Sequence, residues 1–443
     1  MMTSKQRSFL VRPSPLVIAM SLAAIALLAL MAGCLPWATP TPAPRTERAA
    51  PTPSPERLTP TAITLIPEPI SSAITLTLWT SEAFSPADEA SGHILQEQYD
   101  AFMAANPDIA IEYELKKPYG KGGILDFLLT TSAVVPELLP DLVAIDTAEL
   151  SGAAQAGILQ PLDEPISPEL KDDLFPFARE ACLLDGKLMG VQFEADIQHL
   201  VYNTTMVEKP PHTWAELLAG ALSYIFPAGE GDAASDSFLI QYLALGGRLV
   251  DEAGNPTLDG EKLTQVLEFY REGSDKGIIP RSVLNLKTLD DCWPLYLSAE
   301  TAMANVSSRR YSANRGSLEN TAFAPIPTRD GNASTIGHGW ALAIITRDPR
   351  RQAAAAKLIE WLLDPENTAA WNREANHLPT RRSAFDLQIA DDYIAFLREQ
   401  LEMAHFRPLP LAYSEALQRA IQDVLTGNAT PKEAAAEVIA EIE

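Results

Sequence analysis

A chain of 443 residues, 47% apolar and 21% charged, has material for two or three packed domains and is neither disordered nor fibrous. Its 58 acidic residues against 34 basic ones leave a formal charge of −24, which repels phosphate backbones and argues against a nucleic-acid partner. Three cysteines are too few for a disulfide scaffold and the six histidines show no metal-ligand spacing, so neither a metal nor another cofactor is expected.

Lys5, Arg7 and Arg12 precede an uncharged apolar run from Leu16 to Ala32. As a helix that run rises about 26 Å, slightly short of the ~30 Å hydrocarbon layer. It closes on Leu30-Met31-Ala32-Gly33-Cys34, which resembles the lipobox of bacterial lipoproteins: small residues before the cut, then the cysteine that carries lipid. Residues 1–33 therefore read as a lipoprotein signal peptide and Cys34 as the lipidation site, an uncleaved anchor being the plainer alternative. Two or three acyl chains hold a protein stably at a membrane where one does not. The body is accordingly expected at the outer face of the cytoplasmic membrane. Loss of the leader removes three positive charges, giving −24 − 3 = −27. Residues 34–72 read as a tether, since positions 36–69 hold ten prolines and seven threonines with almost no apolar periodicity.

Beyond the tether, Ile74-Thr-Leu-Thr-Leu-Trp79 alternates as a strand. Ile94, Leu95, Tyr99, Phe102 and Met103 share a helical face that Asn106-Pro107 ends. Strands follow at 109–115 and 141–145, with helices at 125–129 and 148–156, the latter closing at Gly157. This β-α-β-α-β succession predicts a parallel sheet with helices on its faces. A second series runs through 198–203, 214–219, 238–245, 262–272 and 301–306. Alanine-rich helices dominate the end, at 351–363, 393–403 and 414–425, and the last opens on the capping box Thr430-Pro431-Lys432-Glu433.

Several ordered segments of 74–443 resemble the extracellular solute-binding proteins of ATP-driven (ABC) importers, in the family that includes maltodextrin-binding proteins. They are Leu78-Trp-Thr80, Phe102-Met-Ala-Ala-Asn-Pro107, Asp141-Leu-Val-Ala-Ile-Asp146, Ala156-Gly-Ile-Leu-Gln-Pro-Leu162, Asp185-Gly-Lys-Leu-Met-Gly190 and Leu200-Val-Tyr-Asn203. Pro211-His-Thr-Trp214, Gly339-Trp-Ala-Leu-Ala343 and Asn376-His-Leu-Pro-Thr-Arg381 continue the series. The resemblance implies an α/β, two-lobe periplasmic-binding-protein fold of type II, each lobe a mainly parallel sheet flanked by helices, hinged, with ligand in the cleft. Carried over by segment, lobe I takes 73–193 plus 325–346 and lobe II takes 197–321 plus 350–443, with crossings near 192–198, 321–326 and 346–351. The residues support the first crossing, because strand 189–193 passes through Ala195-Asp196 into another strand with no helix between.

Ligands in such sheets sit beyond the carboxyl ends of strands. Trp79 and Thr80 lie at one such end, for sugar stacking or for core packing; Asp146 lies at another, for hydroxyls or as a helix cap. Glu194 and Asp196 stand at the first crossing, and His338 and Trp340 flank the close-approach glycine Gly339. Tyr119 stands on a glycine-bearing loop. Tyr242, Trp293, Asn305, Arg309, Trp371 and Asn376 complete the candidates, several as readily core. Ser307-Ser-Arg-Arg-Tyr311 departs from the glycine and tryptophan common in sugar-binding relatives, and Arg309 or Arg310 would suit a carboxylate or phosphate. Cys182 and Cys292 are read as free buried thiols in opposite lobes.

These readings describe a monomeric, lipid-anchored receptor, not an enzyme, that captures a small polar solute, a saccharide above all, and hands it unaltered to ABC permease subunits. The alternatives are a secreted glycoside hydrolase using Glu194 and Asp196, and a sensory lipoprotein without transport.

Overall fold

The computed structural model describes residues 73–249, 251, 257–407 and 411–442. The leader, Cys34 and the tether lie outside the described residues. No helix among the described residues is long and apolar enough to cross a membrane.

The strands are β1 (Ile74–Thr80), β2 (Ile109–Leu115), β3 (Leu142–Asp146), β4 (Leu183–Leu184), β5 (Lys187–Leu188), β6 (Val191–Gln192), β7 (Asp196–Asn203), β8 (Tyr224–Ile225), β9 (Met303–Ser307), β10 (Thr321–Ala324), β11 (Thr335–His338), β12 (Trp340–Ile344) and β13 (Ala404–His405). One sheet has the order β2-β1-β3-β12-β6 and the other β13-β11-β7-β9-β8, with β10 also on β7; β4 and β5 make a separate hairpin. Each sheet is mixed, with all strands but one pointing the same way. In the first the exception is β12, antiparallel to β3 and β6; in the second it is β7, antiparallel to β9, β10 and β11.

The reversal follows from connectivity. Strands such as β1 and β3 end at the edge where the lobes meet, whereas β7 and β12 enter there from the opposite lobe and must run the other way. Residues 193–195 lead from β6 into β7, and Gly339 alone separates β11 from β12. Carboxyl ends of one set are thereby set beside the beginnings of the other: Asp146 pairs in register with Trp340, and His338 with Asp196.

Each sheet has its own core. Alternation in β1 buries Leu76 and Leu78 against Ile145, Leu342 and the helices Gly92–Ala105 and Pro349–Leu362. The second core gathers Ile197, Val201, Val306 and Ile336 with the helices Gly260–Asp275 and Leu411–Thr426. Local signals set the ends: Asp146 caps helix Thr147–Gln155, Thr213 and Glu216 box helix Trp214–Ala219, and Thr430 and Glu433 bond reciprocally before Pro431–Ile442.

Two of the three expected crossings fall elsewhere. Residues 321–326 do not leave the second lobe, because β10 pairs with β7 and the chain stays there through β11. Residues 346–351 do not leave the first lobe either. Ala354, Ala355, Leu358, Ile359, Trp371 and Ala375 of helices Pro349–Leu362 and Pro365–Ala375 fill the first core, and the return comes near Leu378, which bridges to Ala195. Segments 325–338 and 350–375 are therefore exchanged relative to the expected lobes. An alanine-rich face announces a helix but carries no mark of which sheet it will cover.

Candidate functional site

The crossings are tied together by one carboxylate. Glu194, 2% exposed, accepts the Trp340 backbone N–H at 2.7 Å with one oxygen and faces His377 Nδ1 at 2.6 Å with the other. Gln192 Nε2 donates to the Glu194 carbonyl at 3.0 Å, and Ala195 and Leu378 exchange backbone hydrogen bonds of 2.8 and 2.9 Å. Gly339 is obligatory in this knot, since a Cβ there would stand 2.1 Å from the Glu194 carbonyl oxygen. Phe84 packs against Phe193, Trp340, Trp371 and His377 at centroid separations of 4.7–6.0 Å, and Trp371 stacks on His377.

Beside the knot, polar groups from both lobes approach one mouth. On the first-lobe side, Asp146 takes the Ala148 N–H at 2.8 Å with one oxygen and the Tyr119 hydroxyl at 2.6 Å with the other. Tyr119, about half exposed, meets Trp340 edge-on at 6.0 Å. Desolvation and then the Asp146 carboxylate hold its phenol above the usual range. Glu149, a turn into the same helix, is pushed up to about 7 by desolvation and then by Asp146.

On the second-lobe side, His338 closes β11 with its ring about one-third exposed. Its Nε2 lies 3.1 Å from Asp236, whose other oxygen lies 2.8 Å from Arg407 Nε. Burial by itself would lower the basicity of His338, but Asp236, helped by Asp146 and opposed by Arg407, outweighs it and holds the imidazole above its ordinary value. Asp236 stays ionised: burial acts to raise its pKa, and His338 and Arg407 bring it below normal. One strand over, Asp196 accepts the Ser308 hydroxyl at 2.6 Å and the Arg309 backbone N–H at 3.1 Å. Arg309 is exposed, whereas Arg310 is held by Asp290.

Tyr119, Asp146, Asp196 and His338 thus stand around the junction of the two sheets, with Glu194 and Trp340 buried beside them, and Arg309 gives its backbone N–H to Asp196. Other expected site residues lie elsewhere. Thr80 is buried and donates to the Phe84 carbonyl, and Trp79 is covered by Lys116 with Nζ 4.5 Å from the ring centroid. Tyr242 belongs to the second core, its hydroxyl spanning the Arg248 carbonyl and the Asp259 N–H. Trp293 stacks on Tyr296 there, and Asn305 accepts from Tyr224 at 2.7 Å. Trp371 is internal, 3% exposed. Asn376 is the left-handed cap of helix Pro365–Ala375 and lines a cavity of about 190 Å³ together with Ser312, Arg315, His377 and Leu378.

Glu194 and Asp196 do not form a free carboxylate dyad, since partners occupy both Glu194 oxygens and Asp196 is bonded to Ser308 and Arg309. Cys182 and Cys292 are unbonded, in opposite cores, each thiol pushed up to about 12 by burial. The sequence reading missed Phe84, Asp236, His377 and Arg407. Only His377 sat in a noted segment; the others carry no local signal, because their partners come from distant parts of the chain.

Two mixed sheets joined by strands that cross between them, with polar side chains converging on the junction, define a two-lobed binding protein of the periplasmic type. The chain belongs to the bacterial extracellular solute-binding protein family, whose profile it matches over residues 97–396. Members of that family are binding proteins and not enzymes. Among curated relatives it is 28% identical over 186 residues to the maltotriose-binding protein of Pyrococcus abyssi, covering 40% of this chain and 39% of that one. A probable amino-acid ABC transporter periplasmic-binding protein of Sinorhizobium fredii is 24% identical over 203 residues, covering 41% and 45%. The matches thus span less than half the length of these relatives. Solved structures agree in fold. The cyclic α-maltosyl-1,6-maltose binding protein of Arthrobacter globiformis has a TM-score of 0.71 at 20% identity, over 83% of this chain and 98% of that one. The sugar-binding protein MalE of Xanthomonas citri has a TM-score of 0.69 at 22% identity, over 83% and 97%.

Proposed function

We propose that this protein is a lipid-anchored receptor that closes its lobes on a hydroxyl-rich solute, a saccharide, and delivers it to an ABC importer. The observation that carries the reading is the convergence of Tyr119 and Asp146 from one lobe with His338 and Asp236 from the other beside the crossing strands. Such groups replace the water lost by hydroxyls, and contacts to both sides favour the closed form. The maltotriose-binding relative supports the saccharide class, and the lipobox-like Leu30–Cys34 segment supports the anchor. Titration calorimetry against a saccharide panel tests the ligand class. Binding of a saccharide with release of the unchanged sugar is expected; binding confined to another solute class overturns it. Labelling with a radioactive fatty acid, lost in Cys34→Ser, tests the anchor.

A further inference from the structure

Asp196 has a basic residue on each side. His338 is its register partner on β11, and Arg309, whose N–H it binds, follows β9 on the opposite flank of β7. His338 ends β11 and Arg309 stands in the first turn of helix Ser308–Asn314 after β9, so the two flank β7. His338 is paired with Asp236, a carboxylate it shares with Arg407, so this group of three is net positive once the imidazole is protonated. The Asp196 carboxylate is engaged by Ser308 and by a backbone amide, not by the Arg309 guanidinium.

The ring geometry sharpens this. A carboxylate only accepts, so Asp236 keeps the proton on His338 Nε2 and leaves Nδ1 as the variable nitrogen. With the imidazole neutral, Nδ1 is an acceptor; once protonated it is a charged donor. A ligand hydroxyl satisfies either state by turning, whereas a carboxylate satisfies only the second. The net charge of the chain does not decide the matter, because at physiological ionic strength it is screened beyond about 8 Å.

We propose that His338 and Arg309 read a carboxylate on the solute while Asp146 and Tyr119 take its hydroxyls, so that the ligand is an acidic saccharide, a uronate-bearing sugar. This rests on the saccharide reading above and specifies it. The charged groups around His338 are Asp236, Arg407 and its register partner Asp196 on the second-lobe side and Asp146 across the mouth. Glu149, beside Asp146, is the other group that titrates near neutrality.

The test is calorimetry at pH 6.0 and 8.5 with two oligosaccharide panels matched in ring and linkage, one neutral (gluco-, galacto- and manno-) and one of the corresponding uronates. The native protein is expected to bind a uronate about tenfold more tightly at pH 6.0 than at 8.5. His338→Gln should lose about tenfold at pH 6.0 and become insensitive to pH, which separates His338 from Glu149. Arg309→Gln should weaken binding alike at both values. Arg309 is exposed, so R309Q keeps the test decisive if H338Q fails to fold. A native protein that binds a neutral sugar and no uronate overturns this inference and leaves the saccharide reading intact. Binding of neither panel overturns both. A uronate bound with the same affinity by native protein and R309Q, or by native protein and H338Q at both pH values, also overturns it.

Discussion

Glu194→Ala takes away the carboxylate that two crossing segments share. Glu194 is almost wholly buried between the Trp340 amide and His377 Nδ1. Truncation leaves a buried imidazole and a buried N–H facing no acceptor, at roughly 2 kcal/mol each and about 4 kcal/mol together. Unfolding entropy near 2.1 cal/mol/K per residue, over a body of roughly 370 residues, amounts to about 0.8 kcal/mol/K. The melting temperature should therefore fall by about 4–6 °C if the lobes unfold together. Glu194→Gln keeps the shape and an oxygen for Trp340 but loses the charge opposite His377, at a cost of about 1–3 kcal/mol. Thermal and urea melts of E194A, E194Q, H377Q and the double variant E194Q/H377Q close a cycle that isolates the pair. An E194A melting point within 1 °C of native, or a coupling energy of zero in the cycle, would refute the knot.

His199 is buried in the second core, and burial pushes its pKa down to about 4, against ~6.5 in the unfolded chain. The unfolded state therefore takes the proton first: stability is full above pH ~6.5 and falls by about 3 kcal/mol as pH drops through 4. His199→Gln should flatten the dependence of melting temperature on pH across that window, and an unchanged slope would exclude the effect. Tyr119→Phe deletes the hydroxyl bonded to Asp146 on a half-exposed ring, so stability should change by less than about 0.5 kcal/mol. Saccharide affinity should fall about tenfold; unaltered affinity in calorimetry would remove this pair from the site. Cys182 and Cys292 should resist alkylation until the protein unfolds, as read by peptide mass spectrometry, because burial keeps both thiols protonated. Modification of either in native buffer would contradict their burial.

Much of the local structure was legible in advance. Strand β2 and helix Trp214–Ala219 fall at their expected limits, and the alternation of β1 and the caps before the last helix did their work within a few residues. Of the residues at the junction, Asp146 was singled out as a strand end, Asp196 as standing at the first crossing and His338 as a neighbour of Gly339. Trp79 and Trp371 were misjudged for one reason. An indole at a strand end or on a late helix has the same sequence signature whether it faces solvent or, as here, Lys116 and His377.

From sequence alone came the α/β class and the order of the elements, which depend on periodicity and capping over spans of some twenty residues, and, by resemblance of its ordered segments, the family. Folding in three dimensions decided which lobe each late segment joins and which partner neutralises each buried charge. The physical reason is reach. The Glu194–Trp340 bond spans 146 residues of chain, and a contact between groups so far apart is set by how the two sheets stack, which no local pattern records.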